Sequence, residues 1–161
     1  MTTRVTIIGD GQMALVMADA LVTRGVCVRI WGPFPEHIER LGNDRGASRL
    51  TGFHLPDAVE LTADDAAVQH DVDVYLNAIP TQFIRSVWRR LRDANGGSLP
   101  RAPIICVSKG IENDTLMRPT EIIRDALDES PEQRSICALS GPTIAAELAE
   151  RSPATMVAAC G

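Results

Sequence analysis

The chain has 161 residues, of which 45% are hydrophobic and 23% charged, enough for one well-packed core and too few for two ordinary domains. A formal net charge of −5 and a pI near 5.2 give no electrostatic reason to expect nucleic acid or an anionic membrane as a partner. The first residues lead directly into an apolar strand without signal-peptide features, and the apolar runs are shorter than a membrane span, so we expect a cytoplasmic protein.

Apolar runs rich in β-branched residues alternate with stretches of helical period, an order typical of a parallel α/β sheet. The runs are almost continuously hydrophobic, which predicts strands covered by helices on both faces. They are Val5 to Ile8, Val26 to Trp31, Val72 to Ile79, Ile104 to Val107, Ser135 to Leu139 and Thr155 to Ala159. We therefore predict one domain over residues 1–161, with a doubly wound, mostly parallel sheet.

Two helices are predicted from the spacing of their apolar residues. The first is expected to end at Gly25 and has the i, i+3, i+4, i+7, i+8 stripe of a helix packed on a sheet, formed by Met13, Val16, Met17, Ala20 and Leu21. The second follows Pro80, with an apolar side of Ile84, Val87, Trp88 and Leu91 and a side of arginines, Arg85, Arg89, Arg90 and Arg92, that we predict to be solvated. The glycine-bearing segment from Gly42 to Pro56 predicts an irregular connection, and Asn95 to Pro103 predicts a loop.

The four cysteines, Cys27, Cys106, Cys137 and Cys160, are far apart in the sequence and form no CxxC pair. Each lies in a strand-like stretch of small apolar residues, so we expect reduced thiols that serve as core residues, and no disulfide or metal ligands. The three histidines are also scattered, without the spacing of a zinc motif. No metal site is predicted.

A glycine-rich loop, Gly9-Asp10-Gly11-Gln12-Met13-Ala14, lies between the first predicted strand and the first helix. It matches the G-x-G-x-x-G/A fingerprint in the position where that pattern has a mechanism. Gly9 permits the tight turn, Gly11 lets a pyrophosphate approach the backbone, and Ala14 lets the helix lie close to the strand. Free N–H groups and the helix dipole would then hold the phosphates. We therefore predict a Rossmann-like, dinucleotide-binding fold.

The choice between NAD and NADP stays open. The acidic residue that usually grips the ribose 2′-hydroxyl about 20 positions further on is missing, because the second strand ends in Trp31-Gly32-Pro33-Phe34. Phe34 could stack on adenine or simply pack in its loop. The carboxylate of Asp10, beside the phosphate loop, is tolerable only if its side chain points away.

Three further segments follow predicted strands, and in an open α/β sheet the ligand crevice lies outside the carboxyl ends of the strands. They are Ala78 to Gln82, Ser108 to Glu112 and Leu139 to Glu147. Lys109 is the sole lysine among 16 basic residues, and its point charge suits a phosphate or a carbonyl oxygen, the alternative being a surface lysine. Ser140-Gly141-Pro142 predicts a capped helix start that either faces an anion or only caps.

Together these segments resemble, in order and spacing, the NAD(P)-dependent glycerol-3-phosphate dehydrogenase family over essentially the whole chain. The specific motifs are Ser-Lys-Gly-Ile-Glu at 108–112 and Leu-Ser-Gly-Pro-Thr-x-Ala-x-Glu at 139–147. Weaker similarity lies at 31–37 and 50–56, where the usual residues are partly replaced. The resemblance implies the N-terminal coenzyme-binding domain of an enzyme that moves a hydride between NAD or NADP and dihydroxyacetone phosphate or sn-glycerol 3-phosphate, a phospholipid precursor.

The resemblance also implies the roles of individual residues. Substrate would contact Lys109, Gly141 and Thr143, and the coenzyme would contact Gly9, Gly11, Gln12, Met13, Ala14, Phe34, Pro80, Lys109 and Ala145. No catalytic acid is expected within 1–161, because the family's general acid is a lysine in a helical domain that follows and that this chain lacks. We therefore expect a fragment that binds coenzyme and turns over little substrate.

Two other functions remain open at this stage. One is a regulatory module that binds NAD(P) without chemistry, although such a module needs neither Lys109 nor the segment after Leu139. The other is a different hydroxy-acid or phosphate dehydrogenase of the same fold, which predicts another motif in place of Ser-Lys-Gly. The expected partners are small molecules, not nucleic acid or membrane, and the full-length protein could be a homodimer.

Overall fold

The computed structural model describes residues 2–160. Its helices and strands, in chain order, are β1 (Arg4–Ile8), α1 (Gln12–Val22), β2 (Cys27–Trp31), α2 (Pro35–Asp44), β3 (Gly46–Ala47), β4 (Leu50–His54), β5 (Glu60–Thr62), β6 (Val74–Asn77), α3 (Ile84–Ala94), β7 (Ile104–Cys106), α4 (Pro119–Leu127), β8 (Ile136–Ser140), α5 (Ala145–Ala149) and β9 (Val157–Cys160). Short 3₁₀ turns occupy Ala66–Gln69 and Thr81–Phe83.

The main sheet has seven strands in the order β5-β2-β1-β6-β7-β8-β9. Every neighbouring pair is parallel except β8 and β9, which are antiparallel. The prediction of a doubly wound, mostly parallel, Rossmann-like sheet is thus confirmed, and its last strand runs in the opposite direction to the others. Because the other six strands are parallel, their carboxyl ends meet along one edge.

Helices cover both faces of the central strands, as predicted. Alternate residues of β1 point to opposite faces, so Ile8 packs in one cluster with Trp88 of α3, while Ile7 packs in the other with Leu15 of α1. The two-sided cover does not extend to the edge of the sheet, because all four residues of β9 are exposed.

The first helix has a somewhat different buried face from the predicted stripe. Ala14, Leu15, Val16 and Ala18 are its buried apolar residues, which confirms the prediction for Val16, whereas Ala20 is exposed, so the prediction for Ala20 is wrong. The small residues face the sheet because α1 lies close to β1 and β2. The helix ends at Val22, and Gly25 follows it with a φ of +77° in the turn into β2.

The second predicted helix is confirmed as α3, with Ile84, Trp88 and Leu91 buried. Its arginines are not simply solvated. The Arg85 guanidinium, whose side chain is only 20% exposed, donates to both carboxylate oxygens of Glu112 at 2.9 and 2.8 Å. This pairing over a long sequence separation corrects the prediction for Arg85.

Acid is expected to weaken this ion pair. Hydrogen bonds from Arg85 and Thr115 lower the pKa of Glu112 from 4.5 to about 2. A lowered folded-state pKa stabilises the fold above the unfolded value and stops doing so as the pH falls towards 2. Glu112→Gln should therefore cost about 1 to 2 kcal/mol at neutral pH and progressively less at acid pH. Urea unfolding at pH 7 and pH 3 measures this change, with exposed Glu39→Gln as the control. An effect of Glu112→Gln that is the same at both pH values would contradict the prediction.

The segment from Gly42 to Pro56 is not an irregular connection, and that prediction is wrong. It contains the end of α2 and the antiparallel hairpin β3–β4. Arg45, with a φ of +51°, ends α2 in the left-handed conformation, and Leu50 of β4 and Leu55, which follows β4, are buried. β3 has only two residues, and β4 shows no alternation of buried and exposed side chains, so neither strand has the period-2 pattern by which a strand is predicted.

The prediction of four reduced core cysteines is also wrong. Cys137 and Cys160 lie directly opposite each other in the β8–β9 pair, with Cα atoms 4.1 Å apart, and form a disulfide. Cys27 is exposed, and Cys106 is the buried free thiol of the four. The pairing follows from the antiparallel direction of β9, which composition and spacing do not reveal.

Candidate functional site

A cleft of about 700 Å³ runs along the carboxyl ends of β2, β1, β6 and β7, a volume within the usual range for ligand sites. Of the residues predicted to bind ligand, the cleft is lined by Gly9, Gly11, Gln12, Met13, Phe34, Pro80, Lys109 and Thr143. Ala14, Gly141 and Ala145 are not part of the lining. The structure thus brings the glycine loop, the end of β2, the Ala78 segment and Lys109 to one place.

The two glycines of the loop have different surroundings. Gly9 has a φ of +117°, and a Cβ on it would lie 2.8 Å from the carbonyl oxygen of Ala78, so the turn and its contact with β6 both require glycine. A Cβ on Gly11 would have no neighbour within 4 Å. Gly11 is also the N-cap of α1 and supplies no capping side chain. The first N–H groups of α1 are therefore available to an anion in the cleft.

The side chain of Asp10 points away from the phosphate loop, as a bound phosphate would require. Its carboxylate is turned towards α2, where Oδ2 lies 2.7 Å from Nδ1 of His37. The side chain packs on Gly32, where any Cβ would collide with the carboxylate. The sequence gives His37 no visible role, because this contact joins the glycine loop to the first turn of α2, 27 residues further along the chain.

One end of the cleft is apolar, with walls formed by Trp31, Pro33, Phe34, Phe83 and Val87. Phe34 and Phe83 are 63% and 59% exposed, unusual values for side chains of this size beside a cavity. Two exposed aromatic rings at the mouth of a cleft suit a flat heterocycle. Phe83 was not predicted, since it lies in a 3₁₀ turn without periodic signal.

The other end of the cleft carries Lys109. Its Nζ donates to the carbonyl oxygen of Gly141 at 2.8 Å and lies 3.5 Å from Oγ1 of Thr143. Gly141 itself packs so closely on the backbone at Thr155 that a side chain there would collide with it. The predicted proximity of Lys109, Gly141 and Thr143 is present, and the cation is aimed at the turn between β8 and α5.

The predicted helix start at Ser140-Gly141-Pro142 is wrong. Ser140 is the last residue of β8, and α5 begins at Ala145, after an N-cap at Ile144. The helix has only five residues. Ser140 does not cap it, and this segment contributes the Gly141 carbonyl and Thr143 to the site in place of a helix dipole.

A buried hydrogen-bond network fixes the loop that carries Lys109. Trp88 Nε1 donates to Asn77 Oδ1 at 2.8 Å, and Asn77 Nδ2 donates to Ser108 Oγ at 2.8 Å. Ser108 Oγ in turn donates to the carbonyl oxygen of Ile79, while Thr81 Oγ1 donates to the carbonyl oxygen of Lys109 at 2.7 Å. Sequence reasoning missed this network, although a polar Asn77 at the end of an apolar strand was a usable signal.

The Thr81 contact makes a testable prediction. Thr81→Val keeps the shape but leaves the Lys109 carbonyl without its donor, which should cost about 1 to 2 kcal/mol of stability and displace the lysine loop. Thr81→Ser keeps the hydroxyl and should behave like the wild type. Thermal unfolding measures the stability, and the Kd of NADH measures the loop position. Equal behaviour of the valine and serine variants would refute a role for the hydroxyl.

Among residues 2–160, no helix is both long and apolar enough to cross a membrane. The same residues contain no group of three or more His, Cys, Asp or Glu side chains placed to hold a metal ion.

Comparison with known proteins identifies the family. Residues 4–161 match the family model described as the N-terminus of NAD-dependent glycerol-3-phosphate dehydrogenase. A glycerol-3-phosphate dehydrogenase [NAD(P)+] of Lactobacillus delbrueckii subsp. bulgaricus is 33% identical over 160 residues, which are 98% of this chain and 46% of that protein. Another, from Thermobifida fusca, is 32% identical over 163 residues. The chain therefore spans about half the length of the curated relatives it matches.

Solved structures share the fold. The crystal structure of glycerol-3-phosphate dehydrogenase from Coxiella burnetii superposes with a TM-score of 0.84 at 21% identity, covering 99% of this chain and 47% of that one. The Plasmodium falciparum glycerol-3-phosphate dehydrogenase gives a TM-score of 0.79 at 22% identity, over 98% of this chain and 45% of that one.

Proposed function

The chain belongs to the family of NAD-dependent glycerol-3-phosphate dehydrogenase N-terminal domains, and we propose that it is the coenzyme-binding domain of an oxidoreductase. The reaction proposed for the whole protein is hydride transfer between NAD(P)H and dihydroxyacetone phosphate or sn-glycerol 3-phosphate. The observation that carries the proposal is the single cleft that joins the uncapped start of α1, an aromatic end and Lys109.

The described residues fit a dinucleotide. The pyrophosphate would lie on the N–H groups at the start of α1, in the open space beside Gly11. The adenine would lie between Phe34 and Phe83, whose exposed rings form the apolar end of the cleft. The nicotinamide would then extend towards Lys109 and Thr143. Gly9 and Ala14 act indirectly, because they allow the loop and α1 to pack against the sheet.

The bound coenzyme would supply the hydride, and the residues of this chain would bind, orient and stabilise charge. Hydride addition to a ketone builds negative charge on the carbonyl oxygen, and a nearby cation lowers that barrier. Lys109 Nζ is held at the right end of the cleft by the Gly141 carbonyl. Thr143 Oγ1 is within reach of the same position, so both side chains would orient the substrate. Gly141 would contribute through its backbone, since it does not line the cleft.

We further propose that residues 1–161 form one coenzyme-binding unit of a protein whose helical substrate domain supplies the general acid. The lengths of the relatives support this arrangement, as the chain covers 46% of the Lactobacillus protein. The unit alone would then bind coenzyme and catalyse very little. Its partners would be small molecules in the cytoplasm, with no nucleic acid or membrane, and the whole protein would be a homodimer, which sedimentation of the full gene product can test.

The first experiment is calorimetric titration of NADH and of NADPH, separately, into the chain and into Lys109→Ala, with glycerol 3-phosphate present and absent. Saturable binding of either coenzyme would support the proposal. If glycerol 3-phosphate changes the Kd of the coenzyme less in Lys109→Ala than in the wild type, that difference would support the role of Lys109. No binding of either coenzyme would overturn the proposal that these residues form a coenzyme-binding unit. Binding without turnover by the full-length gene product would favour a regulatory module.

A further inference from the structure

The disulfide between Cys137 and Cys160 encloses the substrate end of the proposed site. The two cysteines are 23 residues apart in the sequence, near the start of β8 and at the end of β9. Gly141 and Thr143, which contact Nζ of Lys109, both lie in the segment between them. The bond therefore closes a covalent loop around the residues proposed to orient the substrate.

Few other contacts fix β9. It is the last strand in the order of the main sheet and pairs with β8, and all four of its residues are exposed. An edge strand that buries so little surface gains little from the hydrophobic effect, so its backbone hydrogen bonds to β8 and the disulfide define its register. Opening the disulfide removes the covalent constraint and restores conformational freedom to the loop.

The register of β9 also sets the position of the atom that holds the lysine. Ser140 is paired with Val157 at the end of β8, and the next residue, Gly141, packs on the backbone at Thr155. The carbonyl oxygen of Gly141 accepts a hydrogen bond of 2.8 Å from Nζ of Lys109. A displacement of β9 would therefore move the acceptor that holds the cation at its end of the cleft.

The two sulfur atoms are placed for exchange with small thiols. Cys160 is exposed and Cys137 is half-buried, and a disulfide that solvent reaches is open to attack by a thiolate. Cys106 is less suited, because it is buried and burial raises the pKa of its thiol, which leaves less of the reactive thiolate. Cys27 is exposed and free, but it lies at the end of β2 that is remote from the cleft.

We propose that Cys137 and Cys160 form a reversible thiol–disulfide site, which a low-molecular-weight disulfide oxidises and the matching thiol reduces, and that oxidation fixes the Lys109 end of the cleft. Persistent disulfides are rare in the cytoplasm, where those that form are usually transient and redox-sensing, and the cytoplasm is the location proposed for this protein. The effect on catalysis rests on the proposed function, whereas the exchange at the two sulfur atoms does not.

The exchange balances without a cofactor. The Cys160 thiolate attacks one sulfur of the small disulfide, which forms a mixed disulfide and releases one small thiol. The Cys137 thiolate then attacks Sγ of Cys160, which forms the protein disulfide and releases the second small thiol. The protein loses two electrons and two protons, and the two small thiols gain them. An excess of the small thiol reverses both steps.

The test equilibrates the full-length gene product with glutathione and glutathione disulfide at several ratios. Alkylation of the free thiols followed by peptide mass spectrometry measures the oxidised fraction of the pair. Hydrogen exchange measures the opening of residues 140–157, and steady-state kinetics with glycerol 3-phosphate and the coenzyme measure kcat/KM. Cys137→Ser and Cys160→Ser each remove the bond. Cys27→Ser is the matched control, because it removes a different exposed thiol, and circular dichroism confirms that each variant is folded.

We expect the pair to change between its reduced and oxidised forms over this range of ratios. In the reduced protein, amide exchange at 140–157 should be about tenfold faster and kcat/KM about tenfold lower. Both variants that lack the bond should keep these reduced-state values at every ratio, and Cys27→Ser should respond like the wild type.

A pair that stays oxidised or stays reduced at every ratio would overturn the reversible site. An active protein whose amide exchange and kcat/KM are the same in both forms would overturn the link to Lys109. A gene product whose thiols and amides respond as expected, but which has no activity with glycerol 3-phosphate, would overturn the proposed function and leave the thiol–disulfide site supported.

Discussion

Replacing Gly9 with alanine is expected to destabilise the domain by about 3 kcal/mol, because two costs combine. The backbone φ of +117° is strained for any residue with a Cβ, and that Cβ would lie 2.8 Å from the Ala78 carbonyl oxygen. The neighbour is backbone of the segment that follows β6, so it cannot rotate away. Relief would require separating two loops that together form the floor of the cleft. Urea unfolding of the purified chain measures the loss.

The adjacent loop position provides the matched control. Gly11 has an ordinary negative φ of −77°, and an alanine Cβ there would meet nothing within 4 Å. Gly11→Ala should therefore leave the stability within about 0.5 kcal/mol of wild type while its methyl group occupies space proposed for the pyrophosphate. We expect the Kd of NADH to rise at least tenfold in this variant. Unchanged NADH binding by Gly11→Ala would contradict the placement of the pyrophosphate beside this loop. Equal stability of Gly9→Ala and Gly11→Ala would contradict the requirement for glycine at position 9.

These two glycines show which features could be predicted from sequence. The fingerprint is local, since a strand, a turn and a helix start follow one another within a few residues and each has its own signal. Lys109 was detectable because lysine is otherwise absent from the chain. The parallel order of the sheet followed from the alternation of apolar runs with helical periods. In each case the physical requirement lies within a short stretch of sequence.

The features that sequence missed depend on residues that are distant in the chain. The direction of β9 decides that Cys137 faces Cys160, and nothing near either cysteine encodes that direction. Arg85 looked solvated because its partner, Glu112, lies beyond the next strand. The role of Ser140 was misassigned because strand and helix-cap signals overlap at that position, and the pairing of β8 with β9 extends the strand through it.

The largest effect on activity is expected at Lys109. In the full-length gene product, Lys109→Met should lower kcat/KM about 10²- to 10³-fold, the usual cost of removing one group that stabilises a developing oxyanion. The side chain is exposed, and its contacts are to the Gly141 carbonyl and to Thr143, so the stability should be nearly unchanged. A loss of activity without a loss of stability separates a role in the reaction from a role in the fold.

Lys109→Arg tests whether the site requires the compact charge of an ammonium group or accepts any positive charge. The guanidinium keeps the positive charge but is broader and planar, and it would have to fit between Gly141 and Thr143, where Nζ now lies 2.8 Å from one carbonyl oxygen and 3.4 Å from the other. We expect partial rescue of kcat/KM, with most of the remaining deficit in kcat, because the misplaced charge would act less on the transition state than on substrate binding. Steady-state kinetics of the three proteins measure the split. Full activity of Lys109→Met would show that the cation at this end of the cleft takes no part in the reaction.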